Sequence, residues 1–340
     1  MHIVFSCTAE GFGHVARLVA MAEDVRWHHR VTAFAPIRAH QFIRNHLPDI
    51  AIHEIPYFSL RKEGARIRYL GTLLDNSGLM ARFSAEVART ASLLEDLRVD
   101  AVVSDYDPFT AHGAKELDIP VVQINHPAVV LRDASTNPAA VAARALAPFL
   151  MGPHDHQIIS SFYHGDVGPI IRRDLLEAPR SRGDYLLVYA KDSYRDLICD
   201  ALRQVGITAY RLYPNPQGDY PTDFANCCGV ISSAGHQIIS EAIVLEKPVL
   251  VIPQAGQYEQ ELNARMLVAS GRGAVARPAT LHRDVRRFIR TLDAYPLPPE
   301  PAIPPSFTDS RELAVSQILS HLSASVTSPA SPKAPNAAAT

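Results

Sequence analysis

Little in this 340-residue chain points to disulfides, membranes or nucleic acid. It has four cysteines, Cys7, Cys199 and the adjacent pair Cys227 and Cys228. None forms a C-x-x-C, and neighbouring cysteines rarely pair, so all four read as reduced thiols of a cytoplasmic protein. The net charge is only −2, so no global field favours a nucleic acid or an anionic surface. No basic stretch followed by an apolar one opens the chain. His2-Ile3-Val4-Phe5-Ser6 runs directly into a strand pattern, and no signal peptide is expected. No window reaches the roughly 18 apolar residues of a membrane span, which leaves only peripheral membrane contact open. His154, His156 and His164, with Asp155 and Asp166, lie in irregular sequence and match no zinc spacing, so no metal site is expected. A complete G-x-G-x-x-G dinucleotide fingerprint is also missing.

What is present is a globular composition, with 47% hydrophobic and 20% charged residues, in a length that suits two domains. Apolar runs alternate with helical patterns. The expected strands of the first half are Ile3–Phe5, Arg30–Ala35, Ile50–Ile55, Asp100–Asp105 and Pro120–Asn125. Helices are expected over 14–22, 42–46, 76–97, 109–117 and 138–151. Pro169–Arg173 reads as a short strand, and Ala178–Gly183 as a linker. The alternation resumes with strands Tyr185–Tyr189, Thr208–Leu212, Gly229–Ser232 and Pro248–Pro253, and helices over 193–205 and 260–270. Gly271 is a good residue to follow the last of these. A proline-rich segment, Pro296–Pro305, leads to a terminal helix over 310–323 and a Ser/Pro/Ala-rich tail expected to be disordered. Strand–helix alternation of this kind gives parallel sheets covered on both faces. The expected domains are therefore 1–178 and 184–308, with a C-terminal helix over 309–324 and a tail over 325–340. The default ligand site is the cleft between the two domains.

The most informative motif is Ser232-Ser233-Ala234-Gly235-His236, which leads to Glu241, then a strand, then Gly256-Gln257-Tyr258-Glu259-Gln260. Small residues at a strand end let backbone N–H groups come close to a phosphate at the following helix N-terminus, where the dipole favours negative charge. Glu241, less than two turns into that helix, is placed to accept two ribose hydroxyl hydrogens. Gln257, Glu259 and Gln260 lie at the next strand's carboxyl edge, within reach of sugar hydroxyls. Taken singly, Glu241 reads as a helix-start carboxylate and Gln260 as an exposed helix residue; the order and spacing favour a site.

In the first half, Thr8-Ala9-Glu10-Gly11-Phe12-Gly13-His14-Val15-Ala16-Arg17 follows the first strand and opens a helix. Gly11 and Gly13 permit a tight turn with close substrate approach. His14 places an imidazole at the cleft rim, where it can accept a proton near neutral pH; the plainer reading makes it a helix cap, with Arg17 pairing on the surface. Asp105 and Asp107 end another strand at the same edge. Either could orient His14, and either could be a turn signal before Pro108. His126 could line an acceptor pocket or be a plain loop residue. The basic run Arg61, Lys62, Arg66 and Arg68, beside Tyr57, Phe58 and Tyr69, could face an anionic or lipid-linked acceptor or simply solvent.

The segment 226–275 resembles the nucleotide-sugar donor half of GT-B glycosyltransferases, both the UDP-glycosyltransferase and the MurG-like groups. Gly235, Glu241-Ala242, Lys247-Pro248, Pro253, Glu259-Gln260 and Asn263-Ala264 fall on that pattern. The first-half turn is similar to the G-x-G-H-x-x-R turn of GT-B proteins and of related nucleotide-sugar hydrolases. The resemblance implies two Rossmann-like doubly wound α/β domains facing across a cleft. It implies that Glu241 holds the ribose, that Glu259 and Gln260 hold the donor sugar, and that His14 is the catalytic-base candidate. Two departures stand out. Ser233 occupies the position where the family often has a diphosphate-touching histidine, with His236 nearby. Tyr189-Ala190-Lys191-Asp192-Ser193 stands in place of a glycine-rich loop, with Lys191 and Ser193 as candidate phosphate contacts. The function expected is metal-independent transfer of a sugar, without a cofactor, from a nucleotide-diphosphate donor, UDP-linked by resemblance, to an unidentified acceptor hydroxyl. Asp105-Tyr106-Asp107 matches an Asp-x-Asp metal motif by letter only, since the donor motifs lie in the other half. A hydrolase or epimerase on the same scaffold, or a non-catalytic sugar-nucleotide binder, remains an alternative.

Overall fold

The structure, a computed structural model, describes residues 1–63, 66–190, 193–298 and 306–327. The first half holds strands β1 (His2–Cys7), β2 (Arg30–Ala35), β3 (Ala51–Glu54), a two-residue pair β4 (Lys62–Glu63) and β5 (Arg66–Ile67), β6 (Ala101–Asp105), β7 (Val121–Asn125) and β8 (His156–Ile159). Its helices are α1 (Phe12–Val25), α2 (Ile37–His46), α3 (Tyr69–Ala81), α4 (Phe83–Asp96), α5 (Pro108–Glu116), α6 (Pro138–Met151) and α7 (Arg173–Glu177). The second half holds β9 (Leu186–Tyr189), β10 (Tyr210–Tyr213), β11 (Gly229–Ser233), β12 (Val249–Ile252) and β13 (Gly273–Val275). Between and after them run α8 (Ser193–Gln204), α9 (Tyr220–Asn226), α10 (His236–Val244), α11 (Tyr258–Ala269), α12 (Leu281–Arg290) and α13 (Arg311–Thr327).

Two parallel sheets result, ordered β3-β2-β1-β6-β7-β8 and β10-β9-β11-β12-β13. β1, β6 and β7 are buried along their whole length, as strands covered by helices on both faces must be. In each sheet the strand order reverses direction at one point, between β1 and β6 and between β9 and β11. Cys7 lies opposite Asp105 at the first reversal, and Tyr189 opposite Ser232 at the second. Crevices outside the carboxyl ends of the strands form at such points and take ligands.

Several elements depart from the sequence reading. The single helix expected over 76–97 is two helices that break at Arg82 (φ −103°, ψ 8°); the unbroken apolar spacing hides a kink that carries no proline or glycine. Pro169–Arg173 is no strand: 169–172 is irregular and α7 begins at Arg173, where Asp174 favours a helix start. The sequence reading names no element over β8, α9, β13 or α12; the first three are short, whereas α12 carries Leu281, Val285 and Phe288 at helical spacing. The glycine at 271 does end its helix with φ +69°, and a Cβ there would lie 2.2 Å from the Leu297 carbonyl oxygen. α13 runs four residues beyond the expected 323; residues 328–340 of the expected disordered tail lie outside the described residues.

α13 returns to the first half. Ala314, Ile318 and Leu322 are fully buried in one apolar cluster with Ile3, Phe5, Leu18 and Met21. The return is stitched by Ile171 N–H to Asp309 Oδ1 (2.9 Å) and Ser310 N–H to the Pro169 carbonyl (2.7 Å). The halves also share a core on one side of the seam, where Val129, Phe162, Tyr163 and Ile171 pack with Leu187, Val230, Ala234 and Ile238.

Candidate active site

α1 begins at Gly11, in extended conformation (φ −122°, ψ 144°), with no side-chain cap. α10 begins at Gly235 (φ −70°, ψ 134°), also uncapped by any side chain. The two helix starts meet across the seam. A Cβ on Gly13 would lie 2.8 Å from Cβ of Gln237, so a glycine at 13 is what lets them approach. First-turn N–H groups of a helix lack intrahelical partners and carry a partial positive charge. Two such ends brought together make a site that an anion stabilises.

On the first-half wall, His14 Nδ1 lies 2.7 Å from Asp105 Oδ1. Arg17, one turn further along α1, donates from Nε to Asp105 Oδ2 (2.8 Å) and from a terminal nitrogen to Oδ1 (3.2 Å). Arg17 and Asp105 are both 2% exposed, whereas the His14 side chain keeps 14% of its surface. Burial works to raise the Asp105 carboxyl, but the charges and hydrogen bonds of Arg17 and His14 outweigh it and hold the group below its usual range. Tyr106 follows with φ +61°, a left-handed conformation rare in a residue with a side chain. Its ring stacks on His14 at 6.2 Å with planes 19° apart.

That left-handed residue separates the two aspartates. Asp107 turns away from His14 and caps α5, accepting from the N–H groups of Phe109 (3.0 Å) and Thr110 (3.3 Å). Of the two candidates, Asp105 alone meets the imidazole, and the Asp-x-Asp letters do not describe a paired site. Arg17, which the plainer reading paired on the surface, is instead buried beneath the site. Among the described residues no group of three or more His, Cys, Asp or Glu side chains is gathered closely enough to hold a metal ion. His156 stacks on His321 (4.0 Å) and His154 bonds the Gly152 carbonyl (2.9 Å), so these histidines go separate ways.

On the second-half wall, Glu241 is 4% exposed and already engaged: Tyr220 donates its hydroxyl to Oε2 (2.7 Å) and Gln237 its amide to Oε1 (3.2 Å). Burial raises its carboxyl above the usual range. Gln260 turns inward, accepting from Gln254 N–H (2.9 Å) and donating to Gln257 Oε1 (2.8 Å); it shapes the loop that presents Glu259. The Glu259 side chain stays 24% exposed and faces the first half, 4.0 Å from His126 Nε2, and burial raises its carboxyl too. At the end of β11 and the start of α10, the hydroxyl of Ser232 and Nδ1 of His236 are buried with no hydrogen-bond partner among the described residues, and Ser233 is half-buried between them. Lys191 lies outside the described residues. So do the side chains of Lys62, Arg66 and Tyr69 in the first-half basic run, in which Arg61 pairs with Asp75 (3.1 Å).

Sequence reasoning missed the seam's main tie. His126 and His236, one from each half, stack at 3.5 Å with planes 9° apart. Asn263 Oδ1 accepts from His126 Nε2 (2.8 Å) and from the Tyr163 hydroxyl, and its amide donates to the Ala234 carbonyl (3.1 Å). Burial pushes His126 down to about 3 and His236 well below its usual value, which favours the uncharged form of both rings. Neutral imidazoles can stack; two imidazoliums at that separation could not.

The model of glycosyl transferase family 1 matches residues 1–220 and 210–293, most of the chain. The chain belongs to glycosyl transferase family 1. It is therefore a glycosyltransferase, and its two facing α/β halves form the GT-B arrangement. Solved structures agree on the fold. MurG of Acinetobacter baumannii superposes with TM-score 0.55 at 14% identity, covering 94% of this chain and 99% of that one. LpCGTa, solved in complex with UDP, gives 0.57 at 13% identity over 94% and 99%. The calicheamicin glycosyltransferase CalG4 gives 0.54 at 16% over 96% and 94%. No curated protein sequence matches the chain.

Proposed function

We propose that this glycosyltransferase moves a sugar from a nucleotide-diphosphate donor to an acceptor hydroxyl by a single displacement in which His14 is the base. The observation that carries the reading is the 2.7 Å contact between His14 Nδ1 and Asp105 at the switch point of the first sheet. A carboxylate there takes the Nδ1 proton as a hydrogen bond and leaves the Nε2 lone pair free. Nε2 accepts the acceptor hydroxyl's proton, the oxygen attacks the anomeric carbon, and the bond to the diphosphate breaks. The departing charge falls at the starts of α1 and α10, beside Ser232, Ser233 and His236, so the reading needs no metal ion. Glu259, at the end of the loop shaped by Gln257 and Gln260, lies on the sugar side of this site.

In this arrangement Gly13 touches Gln237, and Glu241 holds Tyr220 and Gln237. A donor therefore enters when the halves part, and its ribose hydroxyls take the place of those two partners on Glu241. UDP as carrier is supported by the UDP bound to LpCGTa, a protein of the same fold. A cytoplasmic setting is supported by the four free cysteines. No helix among the described residues is long and apolar enough to cross a membrane.

The test is a thermal-shift screen of nucleoside diphosphates and nucleotide sugars, followed by turnover with and without acceptors. A donor at 100 times its dissociation constant stabilises the fold by about 2.7 kcal/mol, and Glu241→Ala abolishes that shift while the protein stays folded. His14→Ala retains the shift but lowers kcat by roughly 10²–10⁴-fold. Full turnover in His14→Ala would rule out its role as base. Quantitative release of free sugar without an acceptor would mark a hydrolase.

A further inference from the structure

Arg17 has no part in the reaction just described, yet it is buried to 2% and spends two of its hydrogen bonds on the one carboxylate that contacts the base. A guanidinium costs several kcal/mol to bury unless paired, so this position calls for an explanation. Building on the reading of His14 as base, we propose that Arg17 is a positioning residue: it locks the Asp105 carboxylate and shares its charge, so that His14 waits as a neutral imidazole with Nε2 bare.

Arg17 only donates, and it grips both oxygens of Asp105 in its planar fork. His14 Nδ1 reaches the same Oδ1 at 2.7 Å. A bare Nδ1 there would set its lone pair against a carboxylate, so Nδ1 carries the proton and gives it to Oδ1. The 3.2 Å approach of Arg17 to Nδ1 then follows from two donors converging on one oxygen. The tautomer is thereby fixed, with Nε2 as the acceptor. Next comes charge. A buried carboxylate paired with imidazole alone pulls a proton onto the ring, and an imidazolium cannot act as a base. With Arg17 on the same carboxylate, the trio is neutral while the ring is neutral. The other groups facing His14 leave this balance in place: Tyr106 is uncharged, its hydroxyl pushed up by burial. Burial disfavours a charge on His126 and His236, and it raises the carboxyl of Glu259 on the opposite wall, holding back a charge that would otherwise draw a proton to His14.

The test measures pH profiles of kcat/KM from pH 5 to 9 for the wild type, Arg17→Lys and Arg17→Met, with donor-induced thermal shifts as a check on the site. In Arg17→Met the acid limb moves up by about one pH unit or more, activity at pH 7 falls at least tenfold, and much of it returns at pH 9. Arg17→Lys, which keeps the charge and loses the fork, lies between. A uniform loss at every pH, with the limb unmoved and the protein folded, would overturn the proposal; so would an unchanged profile. The wild type supplies a readout that does not depend on a variant folding: ¹⁵N NMR of the His14 ring at neutral pH shows the Nδ1–H tautomer, and an Nε2–H tautomer would equally overturn it. Should His14→Ala turn over normally, the base assignment fails, a result separate from either Arg17 outcome.

Discussion

At the residue scale, Asp105 and Asp107 take different partners on the first-half wall. They stand two apart in the chain, and a left-handed Tyr106 between them sends one to the imidazole and the other back onto α5. The consequences of changing each differ. Asp107→Ala removes a helix cap and costs about 1 kcal/mol of stability, up to about 2, which urea unfolding would register; the folded fraction keeps its kcat. Asp105→Asn keeps nearly the same shape but loses the charge. It lowers kcat by one or more powers of ten while donor-induced thermal shifts persist, because the donor motifs lie on the other wall.

At the scale of elements, the meeting of α1 and α10 governs access. Their uncapped starts face each other with Gly13 against Gln237, and a methyl group at 13 would lie 2.8 Å from Cβ of Gln237, a separation that one of the helices must relieve by shifting. Gly13→Ala therefore keeps the halves from closing again on a donor that has entered. The expected result is a raised KM for the donor with the first-half core intact, since core positions such as Val15 and Leu18 lie further along α1. Adding Gln237→Gly removes the opposing Cβ and restores affinity in part. If the double variant is no better than Gly13→Ala, the clash is not the cause.

For the molecule as a whole, two features tie the halves together: α13, which crosses back to the first core, and the imidazole stack at the seam. Leu322 is fully buried among first-half residues, so Leu322→Ala costs about 2–5 kcal/mol of cavity and transfer energy, although it stands far along the chain from what it stabilises. The stack makes stability depend on pH. His126 and His236 are held neutral in the folded state and titrate near 6.5 when unfolded. Below that value the unfolded chain binds more protons, so stability falls as pH drops below about 6.5, for His126 down to about 3. The loss approaches about 1.4 kcal/mol per pH unit for each ring, and the midpoint of chemical unfolding follows it. His126→Phe flattens the slope by about one proton.

The sequence by itself determined the two-sheet plan and the positions of its key turns. Apolar runs alternating with helical periods can hardly be buried except as helix-covered parallel sheets, and glycines with small residues after a strand leave the backbone open to a ligand. Thus Gly11, Gly13, His14, Gly235, Glu241 and Glu259 could be singled out from local pattern alone. Arg17, His126 and Asn263 could be named but their partners could not, and Tyr220 and Gln237 carried no signal at all, because what each does depends on a residue 21 to 137 positions away or on the opposite half. Tertiary structure alone brought Asp105 rather than Asp107 to the imidazole, buried the Arg17 guanidinium, and engaged Glu241 with its own neighbours. Local spacing fixes which face a side chain starts from; only the packed fold fixes which charge, ring or carbonyl it finally meets.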